Sequence, residues 1–486
     1  MKVLSVFSVL FTSLFLQAAS AQNQLSLKQA IETALSNNIS MKQGAAAIES
    51  AQINLQQAKM NRLPSLNAGA GQSLNWGRSV NPFDNQVVEN QQVNSNNLSL
   101  SASVNVFNGF QNRYSIQQRA LDLKAGTEDL GTSRNNIILG VVEAYANVLS
   151  NKALLESAKF QLESTRAQLD LTQKMVAAGR MAEAGVFDLR AQLATEETNQ
   201  VIAENNLDLA RLSLAQWMQV APESLGDVSE PVLNTASAPE KPAAEIYQIA
   251  EAAQPQIRAA KTRVLSAEKG IELAQSAYYP SLSLQGGLFT NYSSLAQRFI
   301  PGEKLSTPVY QTFGDFTITD PATNTSIPVS IAQKITQAPG RLEDLSFGQQ
   351  IDNNLRKGIS LNLNIPIFNG SQARLGQENA RVARKNAELQ LEQEKNRLRQ
   401  TIESAVANEK AARKRLEAVE KQIKALEESW RLSEQRFNLG VLNSVDYLQA
   451  KNNLARAIND RARFRYDFFI RRALLDFYMG KELDFN

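Results

Sequence analysis

The chain has no cysteine and no histidine among its 486 residues. Without cysteine there is no disulfide, and no N-terminal cysteine for a lipid anchor. Histidine is the commonest general base and transition-metal ligand, so its absence removes most hydrolase and metalloenzyme designs. A carboxylate enzyme stays open, but no nucleophile–base pair or metal cluster stands out. We therefore expect no enzyme, no metal site and no cofactor.

The sequence also lacks a strong net charge and, after its first residues, a long hydrophobic run. Lysine and arginine total 51 against 48 acidic residues, a net charge of +3 that is too small to indicate a nucleic-acid partner. No later segment approaches the roughly 18 consecutive apolar residues that a membrane helix needs. Any later membrane span would have to be a β-barrel, because only helices and closed barrels satisfy every backbone polar group in lipid.

The N-terminus has the three parts of a secretory signal peptide. Lys2 supplies a positive charge, residues 3–16 form an apolar run, and Ala19-Ser20-Ala21 fits the small-x-small cleavage rule. A buried core helix would be amphipathic, which this run is not. We expect residues 1–21 to be removed, so that the mature chain begins at Gln22.

The rest of the chain reads as an internal duplication. The tetrapeptide Val-Phe-Asn-Gly at 106–109 recurs as Ile-Phe-Asn-Gly at 367–370, a shift of 261 residues. Upstream, Leu-Pro-Ser-Leu at 63–66 matches Tyr-Pro-Ser-Leu at 279–282 with a shift of 216, so the second half holds an insertion of 45 residues, 261 − 216, between these landmarks. Each half therefore reads helix, strand, loop, strand, long helix, turn, helix.

Long helices are predicted by a heptad pattern that the 261-residue shift preserves. Steps of three and four residues place the following positions on one seam: Leu155, Ala158, Leu162, Thr165, Leu169, Thr172 and Val176, matched by Leu416, Val419, Ile423, Leu426, Trp430, Ser433 and Phe437. No proline occurs in 112–176 or 373–439. Shorter helices are expected at 27–62 and 186–218 in the first half, and at 244–278 and 445–478 in the second half. In each half, the two shorter helices could stack end to end beside the long helix.

Four segments have the alternation of barrel strands. Apolar residues alternate with serine and asparagine over 98–106, and with serine, asparagine and finally Pro366 over 359–367. Neither segment carries a charge, which is typical of a barrel strand with an apolar outer face and a polar inner face. Weaker, glycine-bearing partners lie at 65–76 and 281–291. Four strands cannot close a barrel, and an open edge in lipid leaves backbone groups unpaired. Two chains would give eight strands and a filled interior, whereas three would give twelve and a lumen.

The expected domain order follows from these landmarks. The signal peptide (1–21) precedes the first repeat (22–220), and the second repeat (244–486) follows a connecting strap. Residues 221–243 form this strap, the equatorial region of the molecule, because four prolines at 222, 231, 239 and 242 oppose a helix. Residues 290–357 are expected to be a long polar loop that contains the insertion.

This layout resembles the TolC-like outer membrane factor family over essentially the whole mature chain. The most specific motifs are the two Phe-Asn-Gly junctions and the two segments that run from a glycine to an aspartate, 179–188 and 440–446. In that family these turns form the periplasmic tips, where the entrance closes and the adaptor docks. The resemblance implies that the tips comprise Gly179, Arg180, Gly185, Gly440, Val441 and Leu442.

Two carboxylates are candidates for the channel entrance. By position, Asp446 matches the family's entrance carboxylate in the second tip, and Asp188 corresponds to the one in the first tip, whose turn is three residues longer here. Some members carry a basic latch where this chain has Leu442, and Arg180 is a possible substitute. The alternative is that both aspartates lie in a first helical turn and only complement the helix macrodipole.

The resemblance implies an α+β membrane protein in which a trimeric β-barrel of twelve strands, four per chain, continues into a long coiled-coil tunnel. Its function would be that of an outer-membrane channel with a periplasmic extension, in tripartite efflux or type I secretion. A homotrimer would passively carry small molecules or proteins, driven by an inner-membrane pump through a periplasmic adaptor. It would contact outer membrane lipid and no nucleic acid. The alternatives are a structural coiled-coil or adhesin-type surface protein, which would not need the uncharged strands, and a secreted enzyme.

Overall fold

The computed structural model describes residues 24–80, 87–230 and 241–481. The predicted signal peptide and residues 231–240 of the proline-rich strap lie outside these ranges. The described chain divides into a helical unit, built from residues up to Gln57, Tyr114–Ala274 and the residues from Arg374 onward, and a strand unit, built from Ala58–Arg113 and Gln275–Ala373.

The described residues form nine α-helices. They are α1 (Leu27–Asn37), α2 (Ile39–Met60), α3 (Gln111–Ala177), α4 (Ala184–Met218), α5 (Ala243–Ala253), α6 (Pro255–Gln275), α7 (Phe347–Asn353), α8 (Gln372–Asn438) and α9 (Ser444–Tyr478). The two long helices, α3 and α8, have 67 residues each, while α4 and α9 have 35 each. No described helix contains a stretch that is both long and apolar enough to cross a membrane.

The long helices run where the proline-free heptad segments predict them. At 1.5 Å per residue, each of them is about 100 Å long. Apolar heptad positions of α3 and α8 are buried inside the helical unit, including Leu155, Leu162 and Val419. A glycine in the left-handed region terminates each helix, at Gly179 and Gly440.

The expected helix at 27–62 is interrupted, and so is the one at 244–278. Asn38 is extended, with φ −61° and ψ 127°, and separates α1 from α2. Its side-chain Oδ1 accepts a hydrogen bond from the Ser40 amide at 2.8 Å, which favours a new helix start. Gln254 is likewise extended between α5 and α6, because the following Pro255 disfavours helical backbone at its predecessor.

The largest core of the helical unit surrounds Tyr145, which is fully buried. The Tyr145 hydroxyl lies 2.7 Å from the carbonyl oxygens of Leu25 and Ser229. Leu25 also forms an isolated parallel bridge with Val228, so the described start of the strap is fastened beside the first helix. These contacts place the residues just before α1 and the described start of the strap against the middle of α3.

The described part of the strand unit contains eight strands. They are β1 (Ser65–Val80), β2 (Val87–Asn108), β3 (Ser281–Ser293), β4 (Gln297–Ile300), β5 (Lys304–Thr319), β6 (Ser326–Gln337), β7 (Arg341–Asp344) and β8 (Arg356–Asn364). One antiparallel sheet has the order β1-β2-β3-β8, and two separate ribbons pair β4 with β7 and β5 with β6. All four predicted strand segments lie in the four-stranded sheet.

The four-stranded sheet is apolar on one face and polar on the other. Leu100 lies between Ala68 of β1 and Leu288 of β3, whereas the neighbouring Ser101 lies between Asn67 and Gly287. The same alternation continues into β8, where Leu361 pairs with Leu284 of β3 and the adjacent Asn362 pairs with Ser283. Strand β8 ends at Asn364 rather than at the predicted residue 367, because Pro366 has no N–H to donate to a ladder.

The region expected to be a long polar loop is instead folded. Strand β3 runs to Ser293, the ribbons β4–β7 and β5–β6 follow, and α7 leads into β8. The expectation failed because polar residues in this region alternate with apolar ones on both strands of a hairpin, a pattern that composition alone does not reveal.

Candidate channel-entrance turns

The turn between α3 and α4 closes in a Schellman motif. Gly179 has φ +70°, and its amide donates to the Val176 carbonyl at 2.9 Å. The Arg180 amide donates to the Met175 carbonyl at 2.9 Å. These two bonds satisfy carbonyls at the helix end, and the left-handed residue between them favours glycine because it has no Cβ.

The turn between α8 and α9 repeats this geometry. Gly440 has φ +73° and donates from its amide to the Phe437 carbonyl at 2.9 Å. The Val441 amide donates to the Arg436 carbonyl, also at 2.9 Å. Gly179 and Gly440 therefore occupy the same position in the same motif, whereas the third predicted tip glycine, Gly185, lies within the first turn of α4.

The structure brings the two turns together within one chain. A Cβ placed on Gly440 would lie 3.5 Å from the carbonyl oxygen of Arg180. A Cβ on Gly185, which is buried at the start of α4, would lie 3.8 Å from the Cβ of Ser444 at the start of α9. The predicted residues Gly179, Arg180, Gly185 and Gly440 thus belong to one compact tip.

Asp188 links the turns rather than capping a helix. It is the fifth residue of α4, whose first turn holds no acidic residue, so the interpretation of Asp188 as a first-turn carboxylate is wrong. Its Oδ2 accepts a hydrogen bond from Ser444 Oγ at 2.5 Å. Sequence analysis missed Ser444 as its partner, because residues 256 apart carry no local signal of contact.

Asp446 is exposed and lies in the first turn of α9. Its amide donates to Asn443 Oδ1 at 2.8 Å, and its Oδ2 accepts from Asn443 Nδ2 at 2.9 Å. Asn443 is therefore the N-cap, and Asp446 places a carboxylate where the helix macrodipole favours negative charge. The geometry shows the capping role, and the carboxylate remains exposed to solvent.

A small aromatic core supports the tip. Phe437 and Tyr447 stack with ring centroids 4.5 Å apart and an interplanar angle of 15°. Together with Leu189 they are completely buried, and Leu442 packs against them. Burial raises the pKa of Tyr447 to about 12, and the charge of Glu434 acts in the same direction. At the position of the family's basic latch, Leu442 is therefore a packing residue.

Apolar side chains surround the turns on the outside. Val441 and Leu439 are more than three-quarters exposed, and Val445 and Phe187 are also exposed. Arg180 is exposed as well. Exposed apolar side chains that cluster with a polar rim are typical of surfaces that bind another protein.

A buried charge beneath the tip was not foreseen from the sequence. Lys451 of α9 is only 4% exposed, and its Nζ donates to Thr165 Oγ1 of α3 at 2.7 Å. Burial lowers the pKa of Lys451 to about 8, against the opposing attraction of Glu196 and Glu434. Thr165 and Thr172 are polar positions of the predicted heptad seam, which was the available signal for a polar interior at this level.

Comparison with known proteins identifies the family. The family described as outer membrane efflux protein matches residues 30–218 and 345–481, which is well over half of the chain. Outer membrane protein TolC of Escherichia coli K12 is 24% identical over 486 residues, covering 99% of this chain and 86% of TolC. The pyoverdine export outer membrane protein OpmQ of Pseudomonas aeruginosa is 25% identical over 276 residues, covering 56% of this chain and 58% of OpmQ.

Solved structures share the fold. The outer membrane protein VceC of Vibrio cholerae superposes with a TM-score of 0.71 at 17% identity, over 94% of this chain and 97% of VceC. The channel protein CusC gives a TM-score of 0.72 at 15% identity, over 95% and 93% of the two chains. The chain therefore shares the fold of these outer membrane proteins. The chain belongs to the outer membrane efflux protein family, and it is an outer-membrane channel protein of tripartite efflux with a periplasmic extension.

Proposed function

We propose that three copies of this chain close one twelve-stranded β-barrel, which continues into a helical tunnel and serves as a passive conduit without catalysis. An inner-membrane pump would deliver the substrate, a small molecule or a protein, through a periplasmic adaptor. The observation that carries the proposal is the four-stranded sheet, which is apolar on one face and polar on the other. Its outer strands, β1 and β8, have no further partner among the described residues. In lipid, such edges must be paired, and pairing with other copies achieves this.

The number three follows from the lumen that a conduit needs. Two copies would give eight strands, whose inward side chains fill the interior, whereas twelve strands leave an open passage. The polar face of the sheet would line this passage with small side chains such as Ser101 and Asn362, and the apolar face would meet lipid.

An internal duplication is supported by matching strand registers. Ser65 of β1 pairs with Ser103 of β2, and shifts of 216 and 261 residues convert this pair into Ser281 and Asn364, which are paired in β3 and β8. Helices α3 and α8 have equal lengths and are separated by the same 261 residues, and α4 and α9 also have equal lengths.

The duplication also predicts how β8 pairs with β1 of the neighbouring copy. Within the chain, β2 pairs with β3 so that Ser99 faces Phe289 and Leu98 faces Thr290. The same two shifts place Ser360 opposite Ser73 of the neighbouring copy, and Ile359 opposite Leu74. This register keeps the apolar face of the sheet continuous across the junction, because serines meet on the polar face and aliphatic residues on the other.

Cysteine cross-linking tests this assembly cleanly, because the natural chain contains no cysteine. The double variant Ser73→Cys/Ser360→Cys should give dimers and trimers on a non-reducing denaturing gel after mild oxidation. The matched control Ser73→Cys/Ile359→Cys places the thiols on opposite faces and should give far less product. Native mass spectrometry in detergent should show three subunits. A monomeric barrel in that measurement would overturn the proposal.

The tip turns are proposed as the channel entrance and the adaptor-docking surface. Asp446 would repeat three times around the constriction, with Asp188 nearby, and such a ring attracts cations and repels anions. The exposed Val441 and Leu439 at the end of α8, together with Gly179 and Arg180, would meet the adaptor. The Asp188–Ser444 hydrogen bond would hold the two turns of each chain together while the entrance is closed.

A further inference from the structure

The insertion between β3 and β8 carries a two-stranded ribbon, β5–β6, with one apolar and one polar face. On the apolar face, Phe316 pairs with Val329 and Ile318 pairs with Ile327. The alternate pairs on the polar face are Asp315 with Ser330, Thr317 with Pro328 and Thr319 with Ser326. The period of two is regular over residues 314–319 and 326–331, where the pairing has no register shift, as in a sheet that covers an apolar surface.

Within the described residues, nothing covers this apolar face. Phe316 is 57% exposed, Ile318 is 60% exposed, and Ile331 is 57% exposed. A two-stranded ribbon alone in water is at best marginally stable. A contiguous exposed apolar surface of this kind is typical of an interaction site. The ribbon is thus built for a partner surface.

The base of the insertion is fixed firmly to the four-stranded sheet. Gln350 of α7 is 1% exposed; its Oε1 accepts from the Ser293 amide at 2.9 Å and its Nε2 donates to the Ser293 carbonyl at 3.0 Å. Thr290 of β3 donates from Oγ1 to the Ile351 carbonyl at 2.7 Å. These buried bonds hold the insertion at the ends of β3 and β8 that lie away from the helix junctions.

The neighbouring copy presents a matching surface at this level. Pairing of β2 with β3 ends at Ser95–Ser293, but pairing of β1 with β2 continues to Val80–Val87, so the β1–β2 hairpin projects past the sheet. Strand β1 has 16 residues and β8 only nine, so part of β1 has no partner even when β8 of another copy lies alongside it. The projecting hairpin exposes Trp76, Val80 and Val87, with Trp76 71% exposed.

We infer that the apolar face of ribbon β5–β6 packs against the projecting β1–β2 hairpin of the neighbouring copy. This inference rests on the proposed trimer, in which β1 of one copy lies beside β8 of the next. The insertion leaves the sheet at β3 and returns at β8, so it lies directly at that junction. Packing there would remove both exposed apolar surfaces from water. It would also add a contact between adjacent copies beyond the pairing of their barrel strands.

Cross-linking with a short bismaleimide tests the contact in the full-length trimer. Val80→Cys is combined in turn with Phe316→Cys, Ile327→Cys and Ile331→Cys on the apolar face. Matched controls combine Val80→Cys with Thr317→Cys or Ser330→Cys on the polar face of the same ribbon. At least one apolar-face pair should give dimers and trimers at a yield several-fold above both controls.

The strand-junction pair Ser73→Cys/Ser360→Cys separates failure of this inference from failure of the trimer. If that pair links copies but no apolar-face pair exceeds the controls, the ribbon does not contact the neighbouring hairpin and the inference is overturned. Equally efficient linking of Ile331→Cys alone would show ribbon-to-ribbon packing and would also overturn it. Absence of the strand-junction product together with a monomeric native mass would refute the trimer itself.

Discussion

Ser444 donates a 2.5 Å hydrogen bond from Oγ to Oδ2 of Asp188, joining the start of α9 to α4 across 256 residues of sequence. Both side chains are half-buried, so the bond is partly protected from water. Near it, the Arg180 carbonyl approaches Gly440, so the two tip turns of one chain meet as a unit. Any opening that separates the turns must break this bond.

Replacement of Ser444 by alanine should favour the open entrance. A hydrogen bond to a charged acceptor contributes about 1.5–3 kcal/mol, and partial exposure reduces this to about 1 kcal/mol, or about fivefold in the open fraction. Planar-bilayer recordings should therefore show higher mean conductance for Ser444→Ala. Asp188→Asn keeps an acceptor for Ser444 and should resemble the natural protein more closely.

Ser433→Ala is the matched control for this change. Ser433 Oγ donates only to the Ser429 carbonyl within α8, at 2.8 Å, so its loss leaves the tip contact intact. If Ser444→Ala and Ser433→Ala have the same conductance as the natural channel, the Asp188–Ser444 bond does not hold the entrance.

Replacement of Asp446 by asparagine should weaken cation selectivity. The change removes an exposed carboxylate but keeps a polar group near the Asn443 cap, so the stability cost should be about 0.3–1 kcal/mol. Reversal potentials in a salt gradient should move toward zero, and block by multivalent cations from the tip side should weaken. Asp208 is exposed and lies about 30 Å from Asp188 along α4. The control Asp208→Asn should therefore leave both the reversal potential and the cation block unchanged. Unaltered selectivity in Asp446→Asn/Asp188→Asn would make these carboxylates purely structural.

The stability of the folded chain should rise with pH because of Lys451. Its folded-state pKa is lowered to about 8 by burial, from 10.5 in the unfolded chain. Between these values the unfolded chain holds a proton that the folded chain has released, so raising the pH favours folding, by at most about 3 kcal/mol. Thermal unfolding midpoints should therefore increase from pH 7 to pH 9.5.

Lys451→Met should flatten this dependence, because methionine fills a similar volume without a charge. Lys424→Met, an exposed position on α8, should leave the dependence intact. The range stops below pH 10 because Tyr447, with a pKa raised to about 12, begins to oppose folding once unfolded tyrosine ionises. A steep rise that persists in Lys451→Met would assign the effect to another group.

Alanine at Gly440 should destabilise the tip, whereas alanine at Gly376 should not. Gly440 has φ +73°, where a Cβ costs about 1–2 kcal/mol, although the nearest atom to that Cβ lies at an ordinary 3.5 Å. Gly376 lies within α8 with open space around it, so alanine there should stabilise by up to about 1 kcal/mol. The unfolding midpoint should fall for Gly440→Ala and rise for Gly376→Ala. Equal shifts in the two variants would contradict the assignment of Gly440 to a strained turn.

Local chemistry in the sequence determined the long elements. The heptad seam and the lack of proline predicted α3 and α8 to within one residue at each end, because helix periodicity and glycine stops act within a few residues. Alternation of apolar and small polar residues likewise located β1, β2, β3 and β8, since the side-chain period of a strand is two.

Only the tertiary structure decided which distant groups meet. The pairing of Ser444 with Asp188, the burial of Lys451 against Thr165, and the amphipathic ribbon β5–β6 all depend on segments brought together by folding. A single lysine on a polar helix carries no local sign of burial, because its environment is created by other helices. Contacts between elements are set by packing across the fold, whereas the elements themselves are set by neighbours along the chain.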